Sequence, residues 1–146
     1  MFIRSVLRGS TLKTAIIILT LLSATSAAQA TTPTELLVGY RAEAARQAAS
    51  FQPSTQRGAA FYQRDFKVSA TMPSCTSCHT SNPAQGGRHA VTSKAIKPLA
   101  PAANPERFSD LAKVEKWFKR NCTEVVGREC SAAEKADFIA FVTGGY

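Results

Sequence analysis

Methionine and histidine are scarce in this chain, with two of each in 146 residues. One methionine is Met1, so any chemistry that needs a thioether has only Met72 to use. Four cysteines are too few for a mini-protein held together by disulfides. The strongest apolar run, Ala15 to Leu22, falls short of the ~20 residues a helix needs to cross ~30 Å of hydrocarbon. Strand-type alternation, internal repeats and low-complexity tracts are missing. So is any dense Lys/Arg cluster, although the formal charge is +8. That spread argues weakly for an acidic partner surface and against nucleic acid. The length excludes a barrel of about 250 residues and leaves room for one domain. With 45% hydrophobic and 19% charged residues, the composition is that of a globular protein.

The first thirty residues read as a segment removed before folding. Arg4, Arg8 and Lys13 precede the apolar run, and Ala28-Gln29-Ala30 supplies an A-x-A cleavage site. That is the layout of a secretory signal peptide over residues 1–30. Cleavage removes three of the 18 basic residues and none of the 10 acidic ones, leaving a net charge of +5 over residues 31–146. Export places the mature domain in the periplasm, where disulfides persist.

The mature chain reads as all-α. Thr34 offers a cap for a helix from Glu35 to about Ala49, with Leu36, Leu37 and Tyr40 on one side. Pro53-Ser54 breaks it, and a second helix is expected from Thr55 to about Phe66. Its Gly58 and Phe61-Tyr62 suggest a close helix crossing beside an aromatic anchor. A third helix is expected from a Ser109 cap to about Asn121. Ser131 and Glu134 form a capping box that opens a last helix bearing Phe138, Ile139, Phe141 and Val142. Between Lys67 and Asn104 there is little periodicity, and Pro73, Pro83, Pro98 and Pro101 interrupt it. A loop of that length in a small domain calls for an organiser other than secondary structure.

Cys75-Thr76-Ser77-Cys78-His79 supplies one. C-x-x-C-H is the attachment sequence of a c-type haem. Two thiols on one turn can add to the two vinyl groups of one porphyrin, and the next residue brings an imidazole to the iron. A large flat apolar cofactor also gives irregular chain something to pack on. Rival readings fit less well. A thioredoxin-like motif needs a βαβ setting. Zinc wants a second close pair of ligands, whereas Cys122 and Cys130 are eight apart. A bare Cys75–Cys78 disulfide would leave the loop unexplained.

The ligand opposite His79 decides the function. Electron-transfer cytochromes c use a methionine well downstream, but Met72 lies three residues before Cys75. His89 is the other histidine, within reach but in a Gly-rich polar stretch. On the third helix, Leu111, Val114 and Phe118 share a stripe that Asn121 continues, beside Trp117. From spacing alone Asn121 reads as a helix C-cap, with iron ligation as the sharper alternative. Cys122 follows it, and in an exported protein a disulfide from Cys122 to Cys130 is expected. Closing that short loop is worth ~2.5 kcal/mol in the chain-entropy model.

Several runs then resemble one family. They are Lys97-Pro98-Leu99-Ala100-Pro101, Pro105-Glu106-Arg107-Phe108, Val114-Glu115-Lys116-Trp117, Arg120-Asn121-Cys122, Gly127-Arg128-Glu129-Cys130 and Glu134-Lys135-Ala136-Asp137. Together with C-x-x-C-H they look like the sphaeroides haem protein family, exported high-spin c-type cytochromes of the class I cytochrome c fold. The resemblance runs from Leu36 to Phe141. It implies one haem c bound through Cys75 and Cys78, His79 as proximal ligand, Asn121 as distal ligand of ferric iron, and a Cys122–Cys130 disulfide. It further implies O₂, NO or CO binding on reduction, with electrons from partner cytochromes such as a dihaem c-type protein or a membrane cytochrome b. The expected state is a monomer or weak dimer, and any O₂ or NO turnover is a side reaction. A plain six-coordinate electron carrier is the alternative.

Overall fold

Each long helix begins where a side chain can satisfy its first free N–H groups. In the computed structural model, which describes residues 30–144, helix α1 spans Pro33–Ala45. Thr32 Oγ1 accepts from the Glu35 N–H at 3.2 Å, and the Glu35 carboxylate accepts the Thr32 N–H at 2.8 Å. The cap is therefore Thr32, not the expected Thr34. Pro33 sets the first helical φ and Glu35 completes the reciprocal box, which Thr34 would lack. The helix also stops at Ala45, short of Ala49. The export-signal reading rests on residues 1–29 and lies outside the described residues.

Helix α2 spans Thr55–Gln63, capped by Ser54. A single turn, α3, covers Thr76–His79. The short strands β1, Gly87–Arg88, and β2, Ala95–Ile96, pair antiparallel in the register Gly87 to Ile96 and Arg88 to Ala95. Two residues a side leave no period to read in the sequence.

Helix α4 spans Leu111–Val126. Its cap is Asp110, which accepts the Lys113 N–H at 3.0 Å. The expected cap, Ser109, instead donates to the Glu106 carbonyl at 2.8 Å. The helix does not end at Asn121. Nothing between Cys122 and Val126 breaks it, and Gly127 is the first residue to adopt the left-handed conformation, at φ 80°. Helix α5 spans Ala132–Gly144 and opens with the expected Ser131–Glu134 box.

The core joins α1, α2, α4 and α5 through Leu36, Tyr40, Tyr62, Val114, Ile139 and Val142, with Phe108 added from the loop. As expected, α5 lies across α2 at Gly58. A Cβ there would collide with the Asp137 carbonyl and come within 2.8 Å of Phe141 Cβ. The crossing is clamped by Arg57. Its Nε and Nη2 donate to the buried Asp137 carboxylate at 2.7 and 2.8 Å, and the Ser54 N–H adds a third bond at 2.7 Å.

Candidate haem-binding site

Helix α3 gathers three of the candidate residues on one turn. The Cys78 and His79 N–H groups both reach the Cys75 carbonyl, at 3.3 and 3.2 Å. Ser74 is buried, and its hydroxyl pairs with Thr76 Oγ1 at 2.6 Å. Cys75 packs against the core, and burial pushes its thiol up to about 11. Cys75 and Cys78 are both free thiols. The Cys78 sulfur accepts the Ala90 N–H at 3.3 Å.

The chain leaves α3 through a strained residue. Thr80 holds φ 62° and ψ 176°, a conformation that ordinarily belongs to glycine. Fully buried Tyr62 holds it there. Its hydroxyl donates to the Thr80 carbonyl at 2.7 Å, with the His79 carbonyl 3.2 Å away. On the other side Gly87 closes over the Cys78 backbone, where a Cβ would come 2.9 Å from His79 Cα. Burial, and then the Arg107 charge, push the His79 imidazole down to about 4. Arg107 is fixed by its own bonds, Nε to the Pro98 carbonyl at 2.8 Å and Nη2 to the Lys97 carbonyl at 2.7 Å. The sequence flagged Phe61-Tyr62 only as an anchor and Arg107 only as part of a family run. Neither the bare hydroxyl nor the guanidinium carries a spacing signal, because both act on carbonyls.

Asn121 lies in the interior of α4, so the C-cap role is excluded. Val114, Phe118 and Cys122 turn toward the core, while Asn121 and Trp117, one turn apart, stay exposed on the flank. Trp117 is 43% exposed with the Arg120 guanidinium over its ring. Among the described residues neither the Asn121 amide nor the His79 imidazole makes a hydrogen bond. Its neighbour Cys122 is bonded to Cys130 with Cα atoms 5.6 Å apart. The four cysteines thus do not converge on one ion. His89 sits in the β1–β2 turn, where its Nδ1 accepts the Val91 and Thr92 N–H groups at 3.2 Å each. That bond explains His89 without a metal.

Comparison with known proteins gives the family and the fold. Residues 48–142 match the family described as "Domain of unknown function (DUF1924)". Over 113 residues the chain is 42% identical to the cytochrome c-type protein SHP of Cereibacter sphaeroides, covering 77% of this chain and 83% of that protein. The chain belongs to the sphaeroides haem protein family. It is also 47% identical over 91 residues to cytochrome c'' of Methylophilus methylotrophus, spanning 62% of this chain and 63%, under two thirds, of that relative. The solved structure of oxidised SHP, described as an oxygen-binding cytochrome c, superposes with a TM-score of 0.70 at 40% identity, over 78% of this chain and 97% of that one. Oxidised cytochrome c'' superposes with a TM-score of 0.72 at 39% identity, over 77% and 93% of the two chains. The fold of this chain is thus that of a class I c-type cytochrome.

Family membership implies a haem c, and the residues present fit it. Two thiols that lie on one turn of a C-x-x-C remain free of each other. The imidazole beside them is desolvated and makes no hydrogen bond among the described residues. An indole and an amide share the uncovered flank of α4, where a flat apolar partner would bury the former. Cys75, Cys78 and His79 are the residues that would hold the group.

Proposed function

We propose that this chain is an exported, periplasmic monohaem c-type cytochrome that binds diatomic gases in its reduced form. The observation that carries the reading is the flank of α4. There the Asn121 amide, which has no hydrogen-bond partner among the described residues, lies one turn from the exposed Trp117, while the His89 ring already accepts two backbone N–H groups. Cys75 and Cys78 would carry the two thioethers, and His79 and, in the oxidised state, Asn121 would hold the iron. When bound, the haem supplies an iron that changes oxidation state and, when ferrous with an open position, takes O₂, NO or CO.

The amide oxygen of Asn121 is a hard, neutral, weak donor. It would suit ferric iron better than ferrous, so its hold would weaken on reduction, and the freed Asn121 NH₂ could then donate a hydrogen bond to an incoming ligand. Without a methionine sulfur the potential lies below that of a His/Met cytochrome. Partner cytochromes, a dihaem c-type protein or a membrane cytochrome b, supply the electrons. SHP, the relative described as an oxygen-binding cytochrome c, supports the gas-binding part of this reading.

The test is a visible spectrum of the exported protein, oxidised, dithionite-reduced, and reduced with CO. A broad high-spin ferrous spectrum that shifts with CO is expected. Asn121→Ala should leave that ferrous spectrum unchanged and open the ferric form to water. A sharp low-spin ferrous spectrum indifferent to CO would instead mean a permanent sixth ligand and a plain electron carrier.

A further inference from the structure

Charge is distributed unevenly around the site. From Phe66 to Pro105 the chain contains no Asp or Glu, while Lys67, Arg88, Lys94 and Lys97 are all basic. Three of these cations lie on or beside the β1–β2 hairpin, and that hairpin rests on the attachment turn. Gly87 packs on the Cys78 backbone, and the Ala90 N–H reaches the Cys78 sulfur at 3.3 Å. The hairpin is held stiff. The His89 N–H donates to the Lys94 carbonyl and the Ser93 N–H to the His89 carbonyl, each at 2.9 Å. Arg88 Nη1 crosses to the Ser93 carbonyl at 2.6 Å. At the tip Val91 is 63% exposed. An apolar tip inside a cationic rim, preorganised and in contact with Cys78, has the make-up of a small transient docking surface.

On α4 two of the four basic residues, Lys113 and Lys116, are unpaired among the described residues and two are paired, so what sets the hairpin apart is its contact with Cys78. There Lys119 pairs with Glu129 at 3.2 Å and Arg120 with Glu124 at 3.0 Å. On the hairpin Lys97 pairs with Glu106 at 3.2 Å, as exposed a pair as Lys119–Glu129 and worth as little, and Lys67, outside the hairpin, pairs with Asp65. Arg88 and Lys94 have no acidic partner among the described residues.

We propose that the β1–β2 hairpin is the electron-entry surface, and that its occupant is a redox protein with an acidic face. The inference rests on the cytochrome reading above. In each encounter one electron leaves the reduced partner and converts ferric to ferrous iron, and no atom is transferred. The cations of the hairpin steer the partner and Val91 seats it, which places its redox centre beside Cys78.

Photoreduced flavodoxin, a strongly acidic one-electron donor, is a suitable probe, with hexaammineruthenium(II) as the cationic counterpart. In the haem-loaded protein, Arg88→Glu/Lys94→Glu should slow reduction by flavodoxin about ten-fold at low ionic strength and flatten its salt dependence. Reduction by hexaammineruthenium(II) should be unchanged or faster, which also shows that the haem and its surroundings are intact. Lys94→Glu alone should give a smaller change of the same sign. Lys113→Glu/Lys116→Glu on α4 should have little effect. An unchanged flavodoxin rate in the hairpin variants, or a larger fall in the α4 variant, would overturn the proposal. Failure of the cytochrome reading would look different. A protein without covalent haem has no visible spectrum to follow, and one whose ferrous form ignores CO can still accept electrons at the hairpin.

Discussion

The helical frame and the segment from residue 64 to residue 110 are stabilised in different ways. The frame of α1, α2, α4 and α5 is closed by apolar burial, with Tyr62, Ile139 and Val142 fully buried. The segment contributes few apolar residues to that core and is held by side chains and N–H groups reaching single carbonyls. The Pro83 carbonyl accepts from the Leu99 and Ala100 N–H groups at 2.9 Å each. The Pro98 carbonyl accepts from Asn104 and Arg107 at 3.1 and 2.8 Å. All four non-glycine residues with positive φ among those described, Lys67, Thr80, Ser93 and Phe108, belong to this segment. The frame is a hydrophobic core in the ordinary sense. The segment stores backbone strain and spends its polar groups on position, which is what a cofactor cradle requires.

The largest test of that contrast is Cys75→Ala/Cys78→Ala. Covalent haem, read by haem staining after denaturing electrophoresis, should be lost completely. Trypsin should then cut at Lys67, Arg88 or Lys94 while far-UV circular dichroism retains the helices. Collapse of the helical signal would mean that the two regions fold as one. Ile139→Ala attacks the other side. It should cost ~2–5 kcal/mol in urea unfolding, the usual range for truncating a fully buried Ile, while the visible spectrum of the folded fraction stays unchanged.

A smaller effect is expected where the regions meet. Tyr62→Phe keeps the ring in the core and removes the bond to the Thr80 carbonyl. Stability should fall by only ~0.5–1.5 kcal/mol, but the midpoint potential should move, because the backbone carrying His79 is no longer held. An unchanged potential would reduce Tyr62 to packing. The smallest effect concerns pH. Hydrogen bonds from Arg128, opposed by burial and aided by the Ser131 N–H, hold the Glu134 carboxyl below its ordinary value. A carboxyl lowered on folding stabilises the native state above its unfolded pKa, and that contribution disappears as pH falls through the folded value. The urea midpoint should therefore decline as pH drops below about 4.5, the unperturbed value, and Glu134→Gln should flatten that decline.

The two regions also differed in how far the sequence disclosed them. Capping residues, Gly58 and the apolar stripe of α5 indicated the frame, because helices impose a period and a small set of end residues. The errors there were local. Asp110 outcompetes Ser109 as a cap, and α4 continues past Asn121 because no residue before Gly127 stops it. In the segment only C-x-x-C-H was legible, since it is a covalent pattern. The β1–β2 pairing, the Tyr62 hydroxyl and the Arg107 bonds join residues distant in sequence through backbone carbonyls, which every residue possesses. No residue type marks them.

The Cys122–Cys130 bond limits how Asn121 can move. Asn121 has helical backbone on both sides, and the next residue is tied to the chain just before α5. A hinge at that point would have to drag α5 and the packed core with it. The travel available to the amide is therefore the swing of one short side chain about two torsions, a picosecond-to-nanosecond motion for an exposed group. In the role proposed for it, an element moving over so small an arc would act as a latch rather than a door, resetting between encounters without any part of the fold having to wait for it.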